Sequence, residues 1–111
     1  MNQLKDKADV FILLTHQGLD LDQDIAMAID SLDIIIGGHS QSVINDPEET
    51  NGSLIVQAGK DGYYVGIVQL TFNSGEIISK SGKLEPMLLS MPNDPKVMDM
   101  IKEYKTHFTK N

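Results

Sequence analysis

The chain has 111 residues, 41% of them hydrophobic, and a net charge of −7 from 16 acidic and 9 basic side chains. That length allows one domain with a modest core, and the apolar content is that of a globular chain rather than a disordered one. The charge excludes general binding of a nucleic-acid polymer, whose phosphates it repels, and the lack of cysteine excludes disulfides and thiolate metal sites.

Met1 to Lys7 is polar and lacks a signal-peptide core. No apolar run approaches the ~20 residues that span a bilayer. Residues 8–15, Ala-Asp-Val-Phe-Ile-Leu-Leu-Thr, are apolar after Asp9 and rich in branched side chains. They predict a strand buried on both faces, which runs into His16-Gln17-Gly18. A helix should follow, capped by Asp20 or Asp22, with Asp20, Asp22 and Asp24 at the positive end of its dipole. Leu21, Ile25, Ala28, Ile29 and Leu32 recur at helical spacing and predict its apolar face. Asp33-Ile34-Ile35-Ile36 is a second buried strand, ending at Gly37-Gly38-His39-Ser40-Gln41. Strand, helix and strand with short connections make a βαβ unit over 8–41 with parallel strands.

From residue 42 to 90 the pattern predicts antiparallel β structure. Asn51-Gly52 favours a tight hairpin turn. Leu54 to Ala58 and Tyr63 to Phe72 are strands, and Asn73-Ser74-Gly75 turns into a further strand at Glu76-Ile77-Ile78. Asp94 as cap with Pro95 in the first turn starts a terminal helix over 94–109, with Val97, Ile101, Tyr104 and Phe108 as its apolar stripe. The fold class is therefore α/β, or α+β.

Two features carry chemistry. His16 and the His39/Gln41 pair each lie just past the C-terminal end of a predicted parallel strand, where ligand sites of α/β sheets gather. If those strands are neighbours, His16 and His39 converge. The glycine pair allows unusual backbone turns and close approach of a ligand. In an extended stretch His39 and Gln41 would point to the same side, and imidazole nitrogen and amide oxygen both suit a divalent transition metal. A histidine at a strand end is more often a hydrogen-bonded surface residue, so spacing alone leaves both readings open. Tyr63 and Tyr64 read as packing residues, His107 as a solvated helix-end residue, and the six methionines as core filler. The three early aspartates lack the glycine and distal glutamate of a calcium loop.

The run Val10 to Asp20 followed by Asp33 to Gln41, together with Ile55 to Gly66, resembles the calcineurin-like metallophosphoesterases, specifically the 5′-nucleotidase branch. The similarity covers residue 8 to the last helix. The resemblance implies part of a four-layer αββα sandwich, with this chain as the C-terminal half of the metallophosphoesterase domain. It implies that His16 and His39 bind one divalent metal ion (zinc, manganese, cobalt or similar) and that Gln41 binds a second. It implies hydrolysis of a phosphate ester such as a nucleoside 5′-monophosphate, a cyclic nucleotide or a nucleotide sugar, in nucleotide catabolism. Members are often periplasmic, cell-surface or secreted in bacteria. The family's Asp-x-His, Gly-Asp-x-x-Asp and Gly-Asn-His-Glu motifs, which lie in the N-terminal half of its domain, do not occur here. No residue of this chain is accordingly expected to act catalytically by itself, and the expected partner is the missing N-terminal half. The alternative is a non-catalytic, self-associating β-rich domain, a homo-oligomer with a vestigial metal site.

Overall fold

A computed structural model describes residues 6–108. The element order is β1 (Ile12–Leu14), α1 (Leu19–Ala28), β2 (Ile34–Ile36), β3 (Glu49–Thr50), β4 (Ser53–Val56), β5 (Tyr64–Asn73), β6 (Glu76–Pro86) and α2 (Pro95–Phe108). Residue 109 of the expected terminal helix, and most of the polar start of the chain, lie outside the described residues.

Two sheets result. One has the order β1-β2-β4-β3 and the other is the β5-β6 hairpin. β1 and β2 pair parallel with Ile12 opposite Ile34, so the βαβ unit forms as expected. β4 departs from the expected antiparallel region. It pairs parallel with β2, Ile34 opposite Leu54, and antiparallel only with the short β3. The stretch from Gly37 to Glu48 carries the chain back to the starting end of β2, and the β3–β4 hairpin then sends β4 forward alongside it. Three strands therefore end at the same edge.

The hairpin turns form where the sequence places them. Asn51 and Gly52 have φ 49° and 81°, and Ser74 and Gly75 have φ 50° and 88°. Paired positive φ values of this kind match the twist of the flanking strands. β5 and β6 are antiparallel with a bulge between Thr71 and Phe72. Lys80 joins the hairpin to the first sheet. Its ammonium donates to the carbonyls of Gly52 and of Asp33, the latter at 3.4 Å, and lies 3.7 Å from a Glu49 carboxylate oxygen.

α1 differs from expectation at its start and on its buried face. Gly18, not Asp20 or Asp22, is the N-cap and offers no side-chain cap. The Leu19 N–H instead donates to Ser40 Oγ at 3.3 Å. The buried stripe runs through Leu19, Asp22 and Ala26, with Ile25 and Ile29 beside it, whereas Leu21 is half-exposed and Ala28 faces solvent. Ile25, Ile29 and Leu32 of the expected face still meet the core, and the buried side extends to Asp22 and Ala26. The core under α1 is Ala26, Leu32, Ile35 and Ile55, with Phe11 and Leu13 packed against it.

The first strand is not buried on both faces. Ile12 is 56% and Leu14 78% exposed, because β1 is the sheet edge, whereas the β5-β6 hairpin packs on β4 and Ile34 and Leu54, in register with Ile12, are buried. α2 is capped as expected, with the Lys96 and Val97 N–H groups donating to Asp94 Oδ1 at 2.8 and 3.1 Å. Its stripe of Val97, Ile101, Tyr104 and Phe108 is nonetheless exposed and no residue of the helix is buried; Tyr104 and Phe108 stack on one another at 4.6 Å. The radius of gyration is 17.9 Å, against roughly 13 Å for a compact chain of this length.

Candidate metal centre

The parallel strands β1, β2 and β4 deliver three short loops to one edge of the sheet. His16 lies two residues past β1, His39 three past β2, and Gln57 directly after β4. The Thr15 N–H donates to the Ile36 carbonyl at 3.0 Å and the Gly37 N–H to the Val56 carbonyl at 2.9 Å, so the ladder continues to the point where the loops begin.

The imidazoles of His16 and His39 meet edge to face, with ring centroids 5.2 Å apart and planes at 75°. Both residues are exposed. Two imidazoles sharing a tetrahedral ion at ~2.0–2.1 Å per nitrogen have centroids roughly 5 Å apart, so the pair has the spacing that a shared divalent ion asks for. Among the described residues no group of three His, Cys, Asp or Glu could hold a metal; the candidate donors are two imidazole rings with no carboxylate completing the set.

The two glycines of Gly37-Gly38-His39 have separate jobs. A Cβ on Gly38 would lie 3.1 Å from His16 Nδ1, so the first histidine packs against the bare backbone of the second histidine's loop. A Cβ on Gly37 would fall 2.3 Å from Asp22 Oδ2 and 2.9 Å from Gln57 Nε2. Gly37 is the gap that lets those two polar side chains enter the interior.

His39 and Gln41 have φ values of 71° and 55°. The loop is therefore not extended, and the expectation that both side chains point to one side by strand alternation is replaced by a left-handed conformation at each. Such a conformation costs a non-glycine residue about 1–3 kcal/mol. The structure brings His16 and His39 into contact; Gln41 stands exposed two residues further along the same loop. Beside His39 lies an open cleft of about 370 Å³, bounded by Gln17 to Leu21 on one side and by Ser40 and Ser42 on the other. A smaller cavity of about 170 Å³ lies away from the histidines, among packing residues such as Ile44, Val56 and Leu84.

Sequence reasoning missed two residues here. Asp22, read as a helix-cap candidate, is fully buried. Its Oδ1 accepts from Gln17 Nε2 at 3.2 Å, while Oδ2 is buried without a hydrogen-bond partner. Its place in the buried stripe of α1, one helical turn before Ala26, was the available signal. Gln57, seen only as part of a strand, is 3% exposed and bonds to Gly38, Ser40 and Ser42. Nothing local marks a glutamine at a strand end as buried.

No protein-family model matches the chain. Relatives align with most of it. The uncharacterised metallophosphoesterase YunD of Bacillus subtilis is 36% identical over 87 residues, covering 77% of this chain and 19% of the relative. An apyrase of Tabanus yao is 33% identical over 122 residues, covering 91% of this chain and 22% of the relative. The human 5′-nucleotidase is 29% identical over 115 residues, covering 85% of this chain and 20% of the relative. Among solved structures, the sulfate thiohydrolase SoxB of Thermus thermophilus, in complex with glycerol, superposes with a TM-score of 0.81 at 25% identity, covering 92% of this chain and 19% of that one. The chain thus spans about a fifth of the length of each of these relatives.

Proposed function

We propose, for a chain that belongs over this matched region to the calcineurin-like metallophosphoesterase superfamily, 5′-nucleotidase branch, that it supplies one share of a two-metal phosphoesterase centre. The whole enzyme would hydrolyse nucleoside 5′-monophosphates or related nucleotides, as the names of the 5′-nucleotidase and apyrase relatives suggest. This stretch corresponds to the C-terminal half of the metallophosphoesterase domain, with the loops of 8–41 bearing the ligands.

The observation that carries the reading is the convergence of His16 and His39, remote in sequence, at the C-terminal edge of parallel strands with the ring spacing of a shared ion. In this reading His16 and His39 hold one divalent ion and the Gln41 amide oxygen faces a second. Gly38 lets the two loops close on each other, and the open cleft beside His39 leaves room for a phosphate ester. When bound, a pair of divalent ions supplies Lewis acidity and charge neutralisation for phosphoryl transfer. Among the described residues no carboxylate joins His16 and His39 in a candidate metal group, so the chain alone should be inactive.

The test uses the isolated chain beside a His39→Ala control, with manganese, cobalt or zinc added and a nucleoside monophosphate or an aryl phosphate as substrate. We expect binding of one ion, lost in the control, and negligible hydrolysis by either chain. Robust turnover that vanishes in the control would overturn the incompleteness. Absence of any metal binding would overturn the site.

A second reading, self-association, draws on the exposed apolar side chains of the edge strand and the last helix, among them Leu14 at 78% and Phe108 at 69%. Sedimentation of the chain as a monomer throughout the micromolar range would dismiss it.

A further inference from the structure

We propose that Gln57 is a positioning residue for the His39 loop: its one side-chain amide pins alternate residues of that loop and so turns out the two between them. The inference rests on the metal-site reading above. Gln57 Oε1 accepts from the Ser42 N–H at 2.5 Å and from Ser40 Oγ at 2.8 Å, and Nε2 donates to the Gly38 carbonyl at 3.2 Å. The residues left between those anchors are His39 and Gln41, the two of this loop with left-handed φ.

The chemistry of the amide suits the task. A glutamine side chain presents two acceptor lone pairs and two N–H donors on one rigid plane. Here both lone pairs and one donor are spent on a single loop. The backbone carbonyl of the same residue takes the Ile44 N–H at 3.2 Å, which closes the loop's far end. Ser40 passes the constraint on, since its Oγ also accepts from the Leu19 N–H at the start of α1. Non-glycine residues stay left-handed only where the surroundings over-determine them, and three bonds to one buried amide are such surroundings. With an apolar side chain at 57, the Ser42 N–H loses its partner and the Gly38 carbonyl keeps only the Ser40 N–H, at 2.9 Å. The loop can then relax toward ordinary φ values, which rotates His39 away from His16.

The experiment compares Gln57→Met, Ser40→Ala and Asn51→Ala in the 111-residue chain. Asn51→Ala is a structural control in the β3–β4 turn, where the side chain donates to the Ala26 carbonyl and to Asp30. Two readouts are taken: the nuclear Overhauser effect between the His16 and His39 rings without metal, and Co²⁺ affinity followed by ligand-field absorption. Gln57→Met should lose the ring-to-ring effect and bind Co²⁺ on the order of 10–100-fold more weakly. Ser40→Ala, which removes one of the three bonds, should weaken binding by less. Asn51→Ala should lower the melting temperature and change neither readout. A folded Gln57→Met chain with the ring contact and wild-type affinity overturns the proposal. Should that variant not fold, Ser40→Ala decides, and an unchanged ring contact and affinity there overturn it equally. If the wild-type chain binds no Co²⁺, the metal reading falls while the ring contact still decides whether Gln57 positions the loop.

Discussion

The carboxyl of Asp22 lies so close to the backbone of Gly37 that a Cβ on the glycine would sit 2.3 Å from Oδ2. This contact joins the first turn of α1 to the end of β2, and it occurs where the candidate metal loop begins. Both neighbours of the missing Cβ, Asp22 and Gln57, are buried and have little room to retreat.

Gly37→Ala should therefore destabilise the chain by about 1–3 kcal/mol, the usual cost of overpacking. Gly52→Ala is the contrast: no atom lies within 4 Å of a Cβ there, though its φ of 81° strains any other residue. Chemical denaturation of both checks the ranking. A Gly37→Ala chain within 0.5 kcal/mol of wild type, a margin typical of harmless surface changes, would show that the packing yields.

Asp22→Asn tests the orphaned oxygen. Gln17 Nε2 can still donate to the asparagine carbonyl, while the new NH₂ group replaces an acceptor that has no partner. Burying an unsatisfied polar atom costs roughly 1–3 kcal/mol, and the variant exchanges one such atom for another, so its stability should stay within about 1 kcal/mol of wild type. A clear loss of stability would mean that Oδ2 holds a bound water or ion in solution.

Lys80→Met should loosen the hairpin from the first sheet. The Lys80 side chain is 11% exposed and serves two carbonyls and two carboxylates across that junction. Hydrogen bonds to a charged group are worth about 1.5–3 kcal/mol. Lys83→Met breaks only an exposed pair with Glu85 and should cost ~0–1 kcal/mol. Hydrogen exchange of the β5 and β6 amides would report the difference; equal protection in the two variants would refute it.

Gln41→Ala separates the two ions of the proposed centre. If His16 and His39 hold the same ion and Gln41 another, a single-ion Co²⁺ titration should change by no more than about 3-fold, on the order of 0.6 kcal/mol. His16→Ala and His39→Ala should each abolish binding. Loss of binding in Gln41→Ala would place all three donors on one ion.

The sequence by itself determined what depends on neighbouring residues. Asn51-Gly52 and Ser74-Gly75 tolerate paired positive φ, so the hairpins follow from the turn residues. Asp94 before Pro95 caps α2 because its carboxylate is within reach of the next N–H groups. The branched runs ending in His16 and His39 declared two strands with a histidine past each, and parallel pairing with short connections brought the rings together. Tertiary structure alone decided the rest. Whether β4 runs parallel or antiparallel to β2 depends on how the Gly37–Glu48 connection crosses the sheet, which no local pattern encodes. Asp22 is buried because the α1 face that carries it and Ala26 packs against the sheet, with Asp22 on Gly37 at the end of β2. Gln57 meets Gly38, Ser40 and Ser42 only after β2 and β4 have paired. A buried polar side chain is recognised by its partners, and partners far along the chain become neighbours only in the fold.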